Sequence, residues 1–178
     1  MRKLSLLGIC VGLLLTLSVG WVVAQDEPPK PGPEHKLLKR FEGQWDATVK
    51  FAGGESKGSA DYKVGLAGFW LQLHFKGEFG GAPFEGRGLT GYDRNKKKYV
   101  STWVDSMSPS MLRMEGNFDK EGKTYTETGT GLGMDGKPMK MKSVMKFKGK
   151  DTIDFTMYNV VDGKDEQMMQ IIYHRKKK

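Results

Sequence analysis

From Trp45 onward the chain is a series of short segments that alternate with a period of two. Trp45, Ala47, Val49 and Phe51 share one face, and Asp46, Thr48 and Lys50 the other. The pattern returns at Ala60, Tyr62 and Val64, at Leu71, Leu73 and Phe75, and in Tyr99–Val104. It returns again at Leu112 and Met114, and at Ile153, Phe155 and Met157. Met139, Met141, Met145 and Phe147 oppose Lys140, Lys142, Lys146 and Lys148. Turn-forming runs separate the segments: Gly80-Gly-Ala-Pro83, Asp93–Lys98, Asp119–Gly122, Gly149–Asp151 and Val161–Asp165. They recur roughly every 8–14 residues, the rhythm of an all-β sandwich or barrel. The connections are short, so neighbours in sequence are expected to pair in the sheet. A meander of about ten strands removes exposed edges best by closing. The expected fold is therefore an all-β antiparallel barrel over residues 34–178. The 24 glycines among 178 residues, about twice the usual share of roughly 7%, suit tight turns and bent strands.

Residues 1–24 read as a signal peptide: Arg2 and Lys3, an apolar run from Leu4 to Val19, and Val22-x-Ala24 before Gln25. An uncleaved anchor is the alternative, because Leu4 to Ala24 almost spans a bilayer. Either way the rest is expected outside the cytoplasm, periplasmic or extracellular. The one cysteine, Cys10, leaves with a cleaved signal, so no disulfide is expected. Ile9 stands where lipid attachment at Cys10 needs a small residue. Residues 25–33 form a proline-rich linker. Glu34 to Phe41 then places Leu37, Leu38 and Phe41 at helical spacing, a short helix to cap one barrel end, with Gly43 stopping it.

A short helix, Gly43-x-Trp45 on the first strand and a meander resemble the calycin group of lipocalins and fatty-acid-binding proteins. Gly91-Tyr92-Asp93, Trp103-x-Asp105-Ser106 and Glu115-Gly116 add a closer resemblance, to an uncharacterised family of exported bacterial proteins near the lipocalins. The resemblance implies the fold and a small-molecule cavity, and brings no established activity. In lipocalins a basic residue of the last strand covers the Trp of Gly-x-Trp; Arg175 is the nearby arginine here.

Trp45 reads as a buried plug at the closed end. For Trp70, Gln72 and His74 two readings stay open, since alternation defines two faces but not which is inside. Either they line a lumen, or Leu71, Leu73 and Phe75 fill it. Gly91 and Asp93 read as turn chemistry; a polar cavity mouth is the rival, and it brings Tyr92 into the lining. Trp103, Met139 and Met141 complete the candidate cavity. Gly131-Leu-Gly133-Met-Asp-Gly136 matches a dinucleotide fingerprint, but a strand rather than a helix follows, so it reads as a loop. His35, His74 and His174 are far apart, and no G-x-S-x-G or H-E-x-x-H motif is present. Haem on His174, or Cu(I) on the Met139/Met141 and Met168/Met169 thioethers, are minor readings beside an expectation of no cofactor. The formal charge is +8, yet export argues against nucleic acid. The Lys140–Lys150 stripe could instead touch an anionic envelope surface.

These observations lead to an exported, monomeric protein that binds or carries a small apolar or amphipathic ligand, and leave open whether it is also an enzyme. The alternatives are an envelope interaction module with a filled core, and a hydrolase or isomerase with a carboxylate in the cavity.

Overall fold

The structure, a computed structural model, describes residues 27–133 and 136–177. The signal segment, Cys10 and the middle of the Gly131–Gly136 motif lie outside the described residues. The chain runs α1 (Pro33–Leu38), β1 (Gly43–Phe51), β2 (Gly54–Gly65), β3 (Trp70–Phe79), β4 (Ala82–Asp93) and β5 (Lys98–Asp105). It continues through β6 (Ser108–Phe118), β7 (Thr124–Leu132), β8 (Pro138–Phe147), β9 (Thr152–Val161) and β10 (Lys164–Arg175). Each strand pairs with its sequence neighbours, and β1 pairs with β10, so the described residues close a ten-stranded antiparallel barrel.

Local differences from the sequence reading have physical causes. The helix starts at Pro33, which suits a first-turn position lacking an N–H partner, and ends at Leu38 in a turn through Phe41. Several strands run further than their apolar residues: β2 starts at Gly54 and β10 at Lys164. Ser108-Pro-Ser110 opens β6, although serine and proline favour turns. Closure gives every strand two partners, so ladder bonds carry polar and glycine segments into the sheet. The hairpins are then very tight. Gly80 and Gly81 take φ of 58° and 81°, and Asp162 and Gly163 take 50° and 78°. Both pairs meet the positive-φ demand of a two-residue turn whose twist matches the strands.

The closed end is built around Trp45, which is 0% exposed. Its indole N–H donates to the Phe41 carbonyl at 2.7 Å. Trp45 stands opposite Arg175 in the β1–β10 register. The guanidinium lies 4.0 Å above the indole ring and donates to the carbonyls of Arg40, Glu42 and Lys150. Gly43, with φ of 121°, leaves room for this: a Cβ there would sit 2.9 Å from Arg175 Nη1. The rest of the closed end is aromatic. Phe41 meets Phe147 at 4.8 Å and Phe118 stacks on Tyr125 at 4.8 Å. Tyr99 donates its hydroxyl to the Glu34 carbonyl at 2.8 Å, tying α1 to β5.

Candidate functional site

Alternation fixes which side chains point inward, and burial says which face that is. On β3 the inner face is Leu71, Leu73 and Phe75, with Leu71 and Phe75 buried. Trp70, Gln72 and His74 therefore lie on the outer face, a correction to their candidacy as lumen lining. The lumen takes the apolar face because burying it releases more water-exposed apolar surface. Trp70 packs outside against Gly91, its cross-strand partner, where a Cβ would come within 2.5 Å of the ring. His74 pairs with Glu85 at 2.7 Å, and Glu85 also accepts from Arg87 at 3.0 Å. Asp93 accepts from the N–H groups of Asn95 and Lys96 in its turn.

The other candidates face inward at different depths. Tyr92 belongs to the closed end, 5.2 Å from Tyr99 and 6.3 Å from His35. Trp103 lies in the open half. Its ring rests flat on the wall over Gly86, where a Cβ would meet it at 2.1 Å, and its N–H donates to Asp105 at 2.9 Å. Phe84 stacks beside it at 6.5 Å. Glycine on β4 thus makes space for two aromatic rings, Trp103 inside and Trp70 outside. Met139 and Met141 are half-buried on the inner face of β8, the face of buried Ser143. Met168 is exposed while Met169 packs against the core, so adjacent methionines point to opposite faces. His174 is exposed on β10, 3.4 Å from Thr152.

A side chain the sequence reading passed over stands at the centre. Glu127 is 6% exposed and faces inward from β7. Its Oε2 accepts from Ser101 at 2.7 Å and from Tyr125 at 2.8 Å; its Oε1 accepts from Ser143 at 3.0 Å. Its cross-strand partners are Gly116 and Ser143, both small, which leaves the carboxylate room. Among the described residues it has no ion pair. The signal was present: Thr124, Thr126, Thr128 and Thr130 occupy one face, so Tyr125, Glu127 and Gly129 must share the other.

The inner wall therefore changes along the barrel axis. Aromatic rings fill the closed end, a polar belt of Ser101, Glu127 and Ser143 crosses the middle, and methionines with Phe84 and Trp103 line the open half. Ser56, a half-buried residue on β2, keeps a buried hydroxyl without a partner among the described residues. The hairpins of the open end carry exposed apolar tips, with Phe79, Met107, Leu132 and Val161 each on a different turn. Phe51 on a fifth turn touches Phe79 at 5.1 Å. Turns of the closed end are mostly charged, as in Arg94–Lys97 and Lys120–Lys123, with Leu66 the exposed exception. A separate concavity of about 880 Å³ lies across β1–β3, where Asp46, Lys57, Lys76 and Lys176 make it charged and open to solvent. The lysine stripe of β8 lies outside, partly neutralised by Lys142–Asp165 and Lys148–Asp154 pairs.

Buried phenols report on the belt. Burial, with the charge of Glu127 added, pushes the Tyr125 hydroxyl far above the ordinary phenol range. Burial does the same at Tyr62, Tyr99 and Tyr173. A raised phenol pKa means the fold holds the neutral form after the unfolded chain would ionise. The stability this contributes is complete below about pH 10 and is lost as pH rises above it. Alkaline titration is expected to release these phenolates together with unfolding. A full rise in phenolate absorbance with near-ultraviolet dichroism unchanged would show that the rings are not sealed in.

Residues 30–175 match the family described as a protein of unknown function, DUF1579. The chain belongs to this family. Among solved structures, Rv2717c from M. tuberculosis superposes with a TM-score of 0.60 at 13% identity, covering 82% of this chain and 99% of that one. The S-type phycobiliprotein lyase CPES from Guillardia theta gives 0.52 at 11% identity, covering 83% and 99%. At such identities the likeness shows a shared barrel fold. No curated protein matches the chain.

Proposed function

We propose that this member of the family is an exported, monomeric protein that binds or carries a small apolar or amphipathic molecule in the open half of its barrel. The observation that carries the reading is the graded inner wall. A protein that only needed a core would fill both ends alike and keep its turns polar. Here one end is sealed by Trp45, Arg175 and stacked rings, while the other is lined by adaptable methionines and tipped by exposed apolar side chains. Methionine fills irregular space and re-packs at low cost, which suits a site that admits a guest. Trp103, Met139 and Met141 are the proposed contacts. Tyr92 supports the floor beneath them. Among the described residues Glu127 is the one buried carboxylate, and the reading offered is a binding one.

Export rests on Arg2-Lys3, the apolar run and Val22-x-Ala24. One experiment tests both parts: native mass spectrometry of the protein recovered from its own host. The expected mass is that of a chain beginning at Gln25, with an additional small-molecule mass released on collisional heating. Full-length chain in the cytoplasm would remove the export claim. Ligand-free protein that also takes up no amphiphile in titration would remove the carrier claim.

A further inference from the structure

We propose that the barrel selects guests whose buried end carries a hydrogen-bond donor, an ammonium above all, and rejects those ending in a carboxylate. The proposal rests on the lumen being a binding site and names the chemistry of its guest.

Glu127 is the group that decides. A carboxylate offers about four acceptor positions, and the three hydroxyls of Ser101, Tyr125 and Ser143 use three of them. Oε1 holds one bond, from Ser143, and keeps capacity for another. The Ser101 and Ser143 oxygens, having donated, also keep acceptor capacity. The belt as a whole therefore receives protons and offers few. Neutral hydroxyls satisfy the oxygens but leave the charge uncompensated, and burying an uncompensated charge is costly. A cation arriving beside it would gain a charge-assisted bond where water no longer competes.

The surroundings agree in sign. Trp103 and the β5–β6 turn are held by a second acid, Asp105, nearer the mouth. The inner faces of β1–β9 from the belt to the open end carry neither lysine nor arginine among the described residues, although the whole chain has a formal charge of +8. The basic residues of these nine strands are outside, so this stretch of the wall has the opposite sign to the surface. A fatty carboxylate entering here would meet an acid and no cationic partner.

The path to Glu127 is apolar and yielding. Above it on β7 the inner positions are Gly129 and Gly131, and the side chains of Met114 and Met141 lie over them; a Cβ would meet these at 2.9 and 3.0 Å. From Glu127 to Leu132 is five residues, about 17 Å along the strand. That depth takes an alkyl chain end-on once the two methionines swing aside.

The test is titration of the whole protein with dodecylamine, dodecanol and dodecanoate below their micelle concentrations. Emission of Trp103 is the readout, with Trp103→Phe as the blank. The amine is expected to bind tightest, the alcohol next, and the carboxylate at least about tenfold more weakly than the amine. Glu127→Gln, which keeps the size, removes the charge and turns one acceptor oxygen into an amide donor, is expected to bring the amine-to-carboxylate ratio close to one. Carboxylate binding as tight as the amine in the wild type overturns the proposal without any variant. An unchanged ratio in a folded Glu127→Gln variant also overturns it. Failure of all three probes to bind overturns the lumen reading itself, and this proposal with it.

Discussion

Trp45→Ala is expected to cost about 3–5 kcal/mol in denaturant unfolding, the range for deleting a fully buried large aromatic. The indole is 0% exposed and plugs the closed end, just after the turn that follows α1. Collapse cannot close the void, because its walls are the strands themselves, fixed by ladder bonds. Two further interactions go with the ring: the hydrogen bond to the Phe41 carbonyl and the stacking of Arg175. The Arg175 guanidinium would keep its three carbonyl acceptors but lose the surface it lies on. A measured loss below about 1 kcal/mol would mean that the closed end holds together without its plug, and this account of the fold would be wrong.

Gly116→Ala is the second large effect, and it acts by overpacking. A Cβ at Gly116 would lie 1.9 Å from the Thr126 carbonyl oxygen and 2.5 Å from the Glu127 Cα. Both are backbone atoms of the paired strand, so no side chain can swing away. β6 must move off β7, which is expected to cost about 3 kcal/mol, at the upper end for overpacked cores. Gly65→Ala serves as the comparison. Its Cβ would meet only the Gln72 side-chain amide at 3.4 Å, and a change within about 1 kcal/mol is expected. Equal unfolding midpoints for the two variants would show that the close approach at Gly116 is not constrained.

The fold was legible because its signals are local. Period-two alternation and turn residues at Gly80-Gly81, Asp93–Lys98 and Asp162-Gly163 mark the strands and the reversals between them, and short connections leave little choice of neighbour. What local pattern does not carry is sidedness. Trp70, Gln72 and His74 alternate as regularly as Leu71, Leu73 and Phe75, and only closure decides which set turns inward. Glu127 was hidden for a related reason. Polarity alone puts a glutamate outside, whereas the four threonines on the opposite face of β7 put it in, and two small partners make room for it. The alignment of Trp45 with Arg175 was a matter of register between the first and last strands, which no window of sequence contains.

That last pairing has a consequence for the order in which the molecule is made. Arg175 bonds a carbonyl 135 positions earlier, and β1 gains its second partner only when β10 is present. A ribosome that has released β1 through β9 has therefore produced a sheet with two open edges and an uncovered tryptophan, not a smaller native protein. Closure of contacts so distant is slow, because the intervening chain must be ordered before they form. The sheet stays open until β10 emerges, and its docking on β1, rather than gradual accretion, is the moment at which the chain becomes a barrel.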